Sequence, residues 1–443
     1  MMQSGKEEFR FRYVLLGVLT ACYTFQFLTR VAMNVLMPFI SKDIGMTPAQ
    51  IGTGAALMLF FYGPSQLITG LLCDRIGSRK MLIFSIIAWC TLTGVLADAR
   101  TVSEWYVRMA IFGALIGTEL VPSARLLARW FPFNIRARAQ SILSWAWIVT
   151  PAWAPVASTA LYQAVGENWR TVFLILAAFG VVPLLLILLV AYDRPERCKF
   201  AGEEEIIEAY EDEISKGLMT AEDVRSGNVL AIEGKVKAAA LSLKAVLSTK
   251  GFRSLALIYI AAQLSYWGMM IWSAQYMVQV HKFKLMEMGM WASVYFIGGA
   301  MGSFLSGWVS DKLLKGNRKP MLISCFAGTI PFILILATLK AGVSPYLLLL
   351  TLTGAGFFSN MIWGPALALP SDMFSVEVYG KVIGFVNCMA YVAASTSPFF
   401  MGMLIKTDPV TQTANYFWAW VWIACAASIG VVASSLLPAK KRA

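Results

Sequence analysis

The chain has 443 residues, 58% of them hydrophobic and only 14% charged, with a mean hydropathy of +0.65. A soluble domain carries roughly 25% charged residues, so this composition excludes an ordinary soluble protein and points to a polytopic membrane protein. The net charge of +12 does not indicate nucleic-acid binding, because the bases sit in short loops between apolar runs, as orientation signals do.

A helix crossing a bilayer needs about 20 apolar residues. That rule predicts twelve spans, at 14–38, 50–73, 80–98, 104–128, 139–165, 170–191, 252–279, 288–311, 320–340, 343–371, 379–405 and 414–437. The polar segment Met1–Arg12 precedes a run too long for a cleaved signal peptide, so that run reads as span 1. The connections are short except for one, from Tyr192 to Lys250. It is acidic at first (Glu203, Glu204, Glu205, Glu208) and basic later (Lys235, Lys237, Lys244). Ile206, Ile207, Tyr210 and Ile214 recur at helical spacing, which predicts a surface helix within a solvated linker that has no chemistry of its own. The expected organisation is an N-terminal six-helix bundle at 1–191, a linker at 192–250 and a C-terminal six-helix bundle at 251–443.

Orientation follows from the short loops. With both termini inside, the inner segments hold 17 Lys and Arg and the outer loops seven. The termini and the linker are therefore expected in the cytoplasm, with the chain in the inner (plasma) membrane. The seven cysteines form no C-x-x-C pair and no metal-ligand spacing, so they read as reduced packing residues.

Between spans 2 and 3 lies Gly70-Leu-Leu-Cys-Asp74-Arg75-Ile-Gly77-Ser-Arg79-Lys80. It reads as a tight loop in which Gly70 allows close helix packing and Gly77 a turn. A weaker copy, Gly307-Trp-Val-Ser-Asp311-Lys312 followed by Arg318-Lys319, begins 237 residues later, which makes the two an internal repeat. The pair resembles the loops between helices 2 and 3 and helices 8 and 9 of the major facilitator superfamily. The resemblance implies an all-α membrane fold of two six-helix bundles that work by alternating access. It also implies that spans 1, 4, 7 and 10 line a central cavity and that the third span of each triplet lies outermost. Asp74, Arg75, Arg79, Asp311 and Arg136 are then expected at gates: Asp74 near the start of span 11 around Gly380, and Asp311 near the start of span 5.

Polarity within the spans is uneven. Spans 3, 6, 9 and 12 hold no Asn, Gln or charged residue in their interiors. Polar side chains are costly in lipid, so those in the other spans face a wet cavity or another helix. Gln26, Arg30 and Asn34 are each four apart on one face of span 1. The fixed fork of Arg30 suits a carboxylate, with an ion pair to Glu119 as the structural alternative. Tyr62 and Gln66 share a face of span 2 and either bind ligand or pack on span 11. Span 4 holds Arg108 near its outer end, Glu119 near mid-span and Arg125 farther in. Arg108 and Glu119 are eleven residues apart, which places them on one face about 16 Å apart along an unbroken helix. Glu119 is the one carboxylate in a span interior and is the candidate proton carrier, or else the permanent partner of an arginine. His281, the single histidine, falls in an outer loop and is a poor candidate for coupling. Span 7 offers Gln263, Tyr266 and Trp267, span 10 offers Ser359, Asn360 and Trp363, and span 11 sets Asn387, Tyr391 and Ser395 on one face.

Arg30 with Asn34, Tyr62-x-x-x-Gln66, Arg125 followed by Trp130-Phe131-Pro132, and Gly384-Phe-x-Asn387 narrow the resemblance further. Together they are similar to the anion:cation symporter family, which includes bacterial sugar-acid transporters, sialin and vesicular glutamate transporters. That likeness implies import of a small organic anion, such as a sugar acid or another carboxylate, by a monomer. Symport is expected with H+, with Na+ as the alternative and no other cofactor or metal. Arg30, Asn34, Tyr62, Gln66, Trp147, Asn387 and Tyr391 are the expected substrate contacts. The sequence departs from the sugar-acid transporters at Thr29 and Ile116, where they carry acidic residues, and at Arg108, displaced by one position. Trp147 stands where they use a glutamine, which points to a less hydroxylated or aromatic acid. A symporter of aromatic acids or dicarboxylates, or else an exporter of amphipathic compounds, is the alternative on the same fold. An intramembrane enzyme lacks any H-E-x-x-H, paired catalytic aspartates or nucleophile beside a base.

Overall fold

The computed structural model describes residues 10–215, 217, 219–225, 251–314, 317–373, 376–407 and 414–437. Span 1 is Phe11–Val35, continued after one residue by Met37–Ile44. Span 2 is Pro48–Ile76 and span 3 is Ser78–Leu96. Span 4 is split into Val102–Ile116 and Leu120–Trp130, span 5 is Phe133–Ala164, and span 6 is Trp169–Phe179 with Val181–Val190. Span 7 is Phe252–Gln279, and span 8 is Leu285–Trp308 ending in a π turn at Val309–Leu313. Span 9 is Arg318–Thr338, and span 10 is Pro345–Met361 with Trp363–Met373. Span 11 is Val376–Ala394 with Thr396–Leu404, and span 12 is Phe417–Ser435.

Eleven of these are long and apolar enough to cross a membrane. Span 5 is the exception, because Trp145, Trp147, Trp153, Pro151 and Pro155 lower its hydropathy; its 32 residues still reach across a bilayer. Both described ends of the chain lie on one face, called here the terminal side. On the far side, side-chain caps start several helices: Thr47 on Gln50, Thr101 on Glu104, and Asn168 on Arg170 and Thr171. A short hairpin of Lys406–Thr407 and Ala414–Asn415 joins spans 11 and 12.

Burial follows the polarity pattern. In span 7 89% of the most apolar stretch is buried, against 33% in span 6 and 39% in span 9. An all-apolar helix such as Val181–Val190 loses nothing by facing lipid, whereas Gln263 and Gln275 keep span 7 inside.

The halves meet along spans 2 and 11 and along spans 5 and 8. Toward the far side Gly52 lies against the Pro398 backbone, Gly402 against the Pro48 backbone, and Gly289 against Thr159. Gln275 Nε2 donates to Ser41 Oγ at 3.4 Å across the same end.

Two expectations about the terminal side need correction. The loop between spans 2 and 3 is only Gly77, which adopts φ +90, and Gly70 lies inside span 2, where a Cβ would meet only Val121 at 3.9 Å. The linker is not merely solvated. Helix Glu203–Ala209 brings Glu205 onto the start of span 1, where its carboxylate accepts from Phe11 N at 3.0 Å and Arg12 N at 2.6 Å. Arg12, fully buried, also pairs with Glu205 at 3.3 Å and with Glu208. Four orphan N–H groups begin any helix, and a negative charge there is favoured, so Glu205 caps span 1 from 193 residues away. Ile206, Ile207 and Ile214 do lie on a helical face, packed with Ala209, Tyr210, Met219 and Val224. The basic stretch at Lys235, Lys237 and Lys244 lies outside the described residues.

Candidate functional site

The centre of the molecule is set by a break in span 4. Gly113 and Gly117 seat the first half-helix directly on span 2; a Cβ on Gly113 would fall 2.7 Å from the Met58 Cα. Helical geometry stops at Gly117–Glu119, with Thr118 Oγ1 placed 2.8 Å from Ser85 Oγ and 2.6 Å from the Leu115 carbonyl. The break turns the Ile116 carbonyl toward span 1. There it accepts from Gln26 Nε2 at 2.9 Å and from Arg30 Nη2 at 3.4 Å. Span 10 is interrupted at the corresponding place, at Ile362.

Arg30 is fully buried and held on three sides. Its Nη2 donates to Gln26 Oε1 at 2.7 Å, and its guanidinium carbon stands 4.6 Å from the Tyr62 ring and 5.3 Å from Phe27. Tyr23, Tyr62 and Tyr391 surround the cation. The Tyr62 and Tyr391 rings are 4.4 Å apart, and Gln66 Oε1 accepts from Asn387 Nδ2 at 3.5 Å. Of the expected substrate contacts, the structure therefore brings together Arg30, Tyr62, Gln66, Asn387 and Tyr391. Asn34 is buried one turn along from Arg30. Trp147 belongs to an adjoining wall, 6.1 Å from Tyr266 and 5.2 Å from Trp363. Tyr391 connects to that wall through Trp267 at 6.3 Å, and Trp267 to Tyr266 at 5.5 Å.

Polar bookkeeping around this centre is lopsided. Arg30 Nε, Asn34 Nδ2, Tyr62 Oη, Gln66 Nε2, Trp267 Nε1 and Trp363 Nε1 are buried and have no partner in hydrogen-bonding geometry. All six can donate, and five of them can do nothing else. Nearby on spans 8 and 10, Tyr295 Oη and Ser359 Oγ are 2.6 Å apart, and Asn360 Nδ2 donates to the Gly356 carbonyl at 3.1 Å.

Glu119 is fully buried at the break, and neither carboxylate oxygen has a partner. Trp89 and Gln26 are its polar neighbours, neither in hydrogen-bonding geometry with it. No Arg30–Glu119 ion pair forms; Gln26 lies on the Arg30 side of the acid. The interruption at Gly117–Glu119 lies between Arg108 and Glu119. Arg108 is not a buried cavity charge either. It sits at the far rim, donating to the Val95 carbonyl at 2.6 Å and pairing with Glu104 at 3.5 Å and Asp98 at 4.0 Å. Arg125, part-exposed, pairs with Asp74 and donates to the Gly70 carbonyl at 2.9 Å.

Asp74 thus finds its partner inside its own half. Arg79 N donates to Asp193 Oδ1 at 2.8 Å, its guanidinium reaches the Leu188 carbonyl at 2.7 Å, and Arg75 is exposed. Arg136 Nε donates to the Phe131 carbonyl at 3.1 Å. The side chains of Asp311 and of residues 376–381, on which the two gate contacts depend, lie outside the described residues. In the far-side loop, His281 packs between Tyr276 and Phe283, and burial pushes its imidazole below the ordinary value. Tyr23 was not expected in the site; its only signal was a position seven residues before Arg30, on the same helical face.

A family model described as Major Facilitator Superfamily matches residues 19–315 and 255–443. The chain belongs to the major facilitator superfamily. It is accordingly a multi-pass membrane transporter rather than an enzyme. It is 24% identical to a probable sulfoacetate transporter of Cupriavidus necator, over 97% of this chain and 94% of that protein. It is 22% identical to a probable galactarate/D-glucarate transporter of Escherichia coli, over 96% and 93%. Among solved structures, a D-xylose–proton symporter superposes with TM-score 0.73 at 15% identity, covering 97% of this chain and 98% of that one. A bacterial homologue of the human lysosomal transporter Spinster, inward-facing, gives TM-score 0.74 at 16% identity, covering 98% of both chains.

Proposed function

We propose that this superfamily member imports a small organic carboxylate together with a proton. The observation that carries the reading is the buried set of unpartnered donors gathered about Arg30. A buried site with spare donors and one cation, and with Glu119 protonated, is complementary to an anion. The printed substrates of the two relatives, sulfoacetate and galactarate/D-glucarate, agree in being organic anions. Arg30 takes the carboxylate, and Tyr62, Gln66, Asn387 and Tyr391 orient it, with Asn34 and Trp147 bordering the rest of the molecule.

Residues 1–191 and 251–443 act as the two rocking bodies, joined by 192–250, with the site at their interface. The terminal side is the cytoplasmic side of the inner membrane, on the strength of its Lys and Arg excess. Asp74, Arg75, Arg79, Asp311 and Arg136 form the gate elements there. Glu119 carries the proton. When it is protonated, the field of Arg30 is free for the incoming carboxylate; when it is charged, it competes for that field through the intervening Gln26. A sodium site on the Ile116 carbonyl is less well supported, because a guanidinium and an amide already donate to that oxygen.

Uptake of labelled acids into proteoliposomes, with imposed pH or sodium gradients, tests the reading. Accumulation that follows an inward proton gradient and ignores sodium is expected. Sodium-driven accumulation would move the coupling site away from Glu119.

A further inference from the structure

Resting on that reading of the Arg30 site, we infer that the preferred substrate is a monocarboxylate with a flat, aromatic or otherwise apolar body, not a polyhydroxy acid or a dianion. Three observations carry this. The first is charge. Among the described residues Arg30 is the one guanidinium buried at the centre; Arg12 is committed to Glu205 and Glu208, Arg108 to Glu104 and Asp98, and Arg125 to Asp74. One cation balances one anionic group, and a second carboxylate or phosphate on the ligand would be buried without a counter-charge.

The second is the wall. From Arg30 the lining runs through Tyr62, Tyr391, Trp267, Tyr266, Trp147 and Trp363, each ring 4.4–6.3 Å from the next. Three of these five contacts are edge-to-face, a geometry in which rings attract one another beyond simple burial. The wall joins spans 2, 5, 7, 10 and 11, so it draws on both halves of the chain.

The third is the donor excess. A sugar-acid hydroxyl needs an acceptor for its proton as well as a donor for its oxygen. Arg30 Nε, Asn34 Nδ2, Gln66 Nε2, Trp267 Nε1 and Trp363 Nε1 are buried, without a partner, and able only to donate. Each hydroxyl of a polyhydroxy acid brings a proton that guanidinium, amide and indole N–H groups cannot accept, whereas a carboxylate uses the donors at one end and a ring meets rings at the other.

Isothermal titration of the purified full chain tests this with phenylacetate, benzoate, glucuronate and glucarate, on wild type, Arg30→Ala and Trp147→Gln. Phenylacetate or benzoate should bind at least about tenfold more tightly than either hydroxylated acid, the scale set by one aromatic contact. Trp147→Gln should narrow that ratio, and Arg30→Ala should remove binding of all four. Glucuronate or glucarate binding more tightly than the aromatic acids, still dependent on Arg30, would overturn the substrate class and leave the carboxylate reading standing. Failure of all four to bind, or binding indifferent to Arg30→Ala, would overturn both. Unchanged melting temperatures of the variants show that loss of binding is not loss of fold.

Discussion

Arg30→Lys isolates what the guanidinium does beyond carrying charge. Arg30 spends one terminal nitrogen on Gln26 at 2.7 Å and on the Ile116 carbonyl at 3.4 Å, and lies over Tyr62 at 4.6 Å. That leaves Nε, buried and unpartnered, to donate to a carboxylate in the plane of the guanidinium. A lysine ammonium at the same place has three donors on a point charge and no fork. It can satisfy Gln26 or the ligand in good geometry, not both. One charge-assisted hydrogen bond is lost, about 1.5–3 kcal/mol, which corresponds to roughly a 10- to 150-fold rise in Kd. Titration of the purified protein with whichever acid the wild type binds reads this directly, with melting temperature as a control for folding. Arg30→Ala should abolish binding. Equal affinity of the Lys variant and the wild type would refute the claim that Arg30 clamps a carboxylate.

Three further outcomes follow from contacts away from that cation. Glu205→Ala removes the cap on Phe11 and Arg12 and leaves a buried arginine short of charge, so thermal stability in detergent should drop by the equivalent of about 3 kcal/mol; a fully solvated linker would give no change. Asp74→Asn breaks a part-exposed pair with Arg125, worth about 0–1 kcal/mol, so it should slow transport while sparing binding and melting temperature. Loss of binding and stability in step would make the loop a folding element only. His281 is held neutral by burial, so its folded-state value lies below the unfolded one. Its contribution is present above the unfolded value and is lost as pH falls through the folded value. Melting temperature should therefore decline on acidification below about pH 6.5, and His281→Phe, which keeps the ring packing on Tyr276 and Phe283, should flatten that decline.

The spans were legible because lipid forbids polar backbone and rewards long apolar runs, two constraints that act on every helix alike. Span 7 was placed to the residue, and the Arg30, Tyr62 and Gln66 faces followed from four-residue spacing. The break in span 4 was not legible. Gly117-Thr118-Glu119 itself contains no proline. Pro122, four residues past Thr118, lacks the N–H that would bond the Thr118 carbonyl, but a proline in a first turn is compatible with an unbroken span too. The close seating of Gly113 and Gly117 on span 2 has no local signature. Tyr23 was hidden for another reason: a tyrosine in an apolar run looks the same whether it anchors at an interface or rings a cation. The cap of Glu205 on span 1 joins residues 193 apart, a separation at which no local pattern carries information.

Among the described residues Glu119 is the one fully buried acid, and its carboxylate is unpartnered at the break in span 4. The most direct measurement compares Glu119→Gln with wild type in proteoliposomes, by counterflow and by accumulation under an imposed pH gradient. Glutamine mimics the protonated acid, so the variant should keep substrate binding and counterflow and lose pH-driven accumulation. Undiminished pH-driven accumulation in Glu119→Gln would contradict the coupling mechanism.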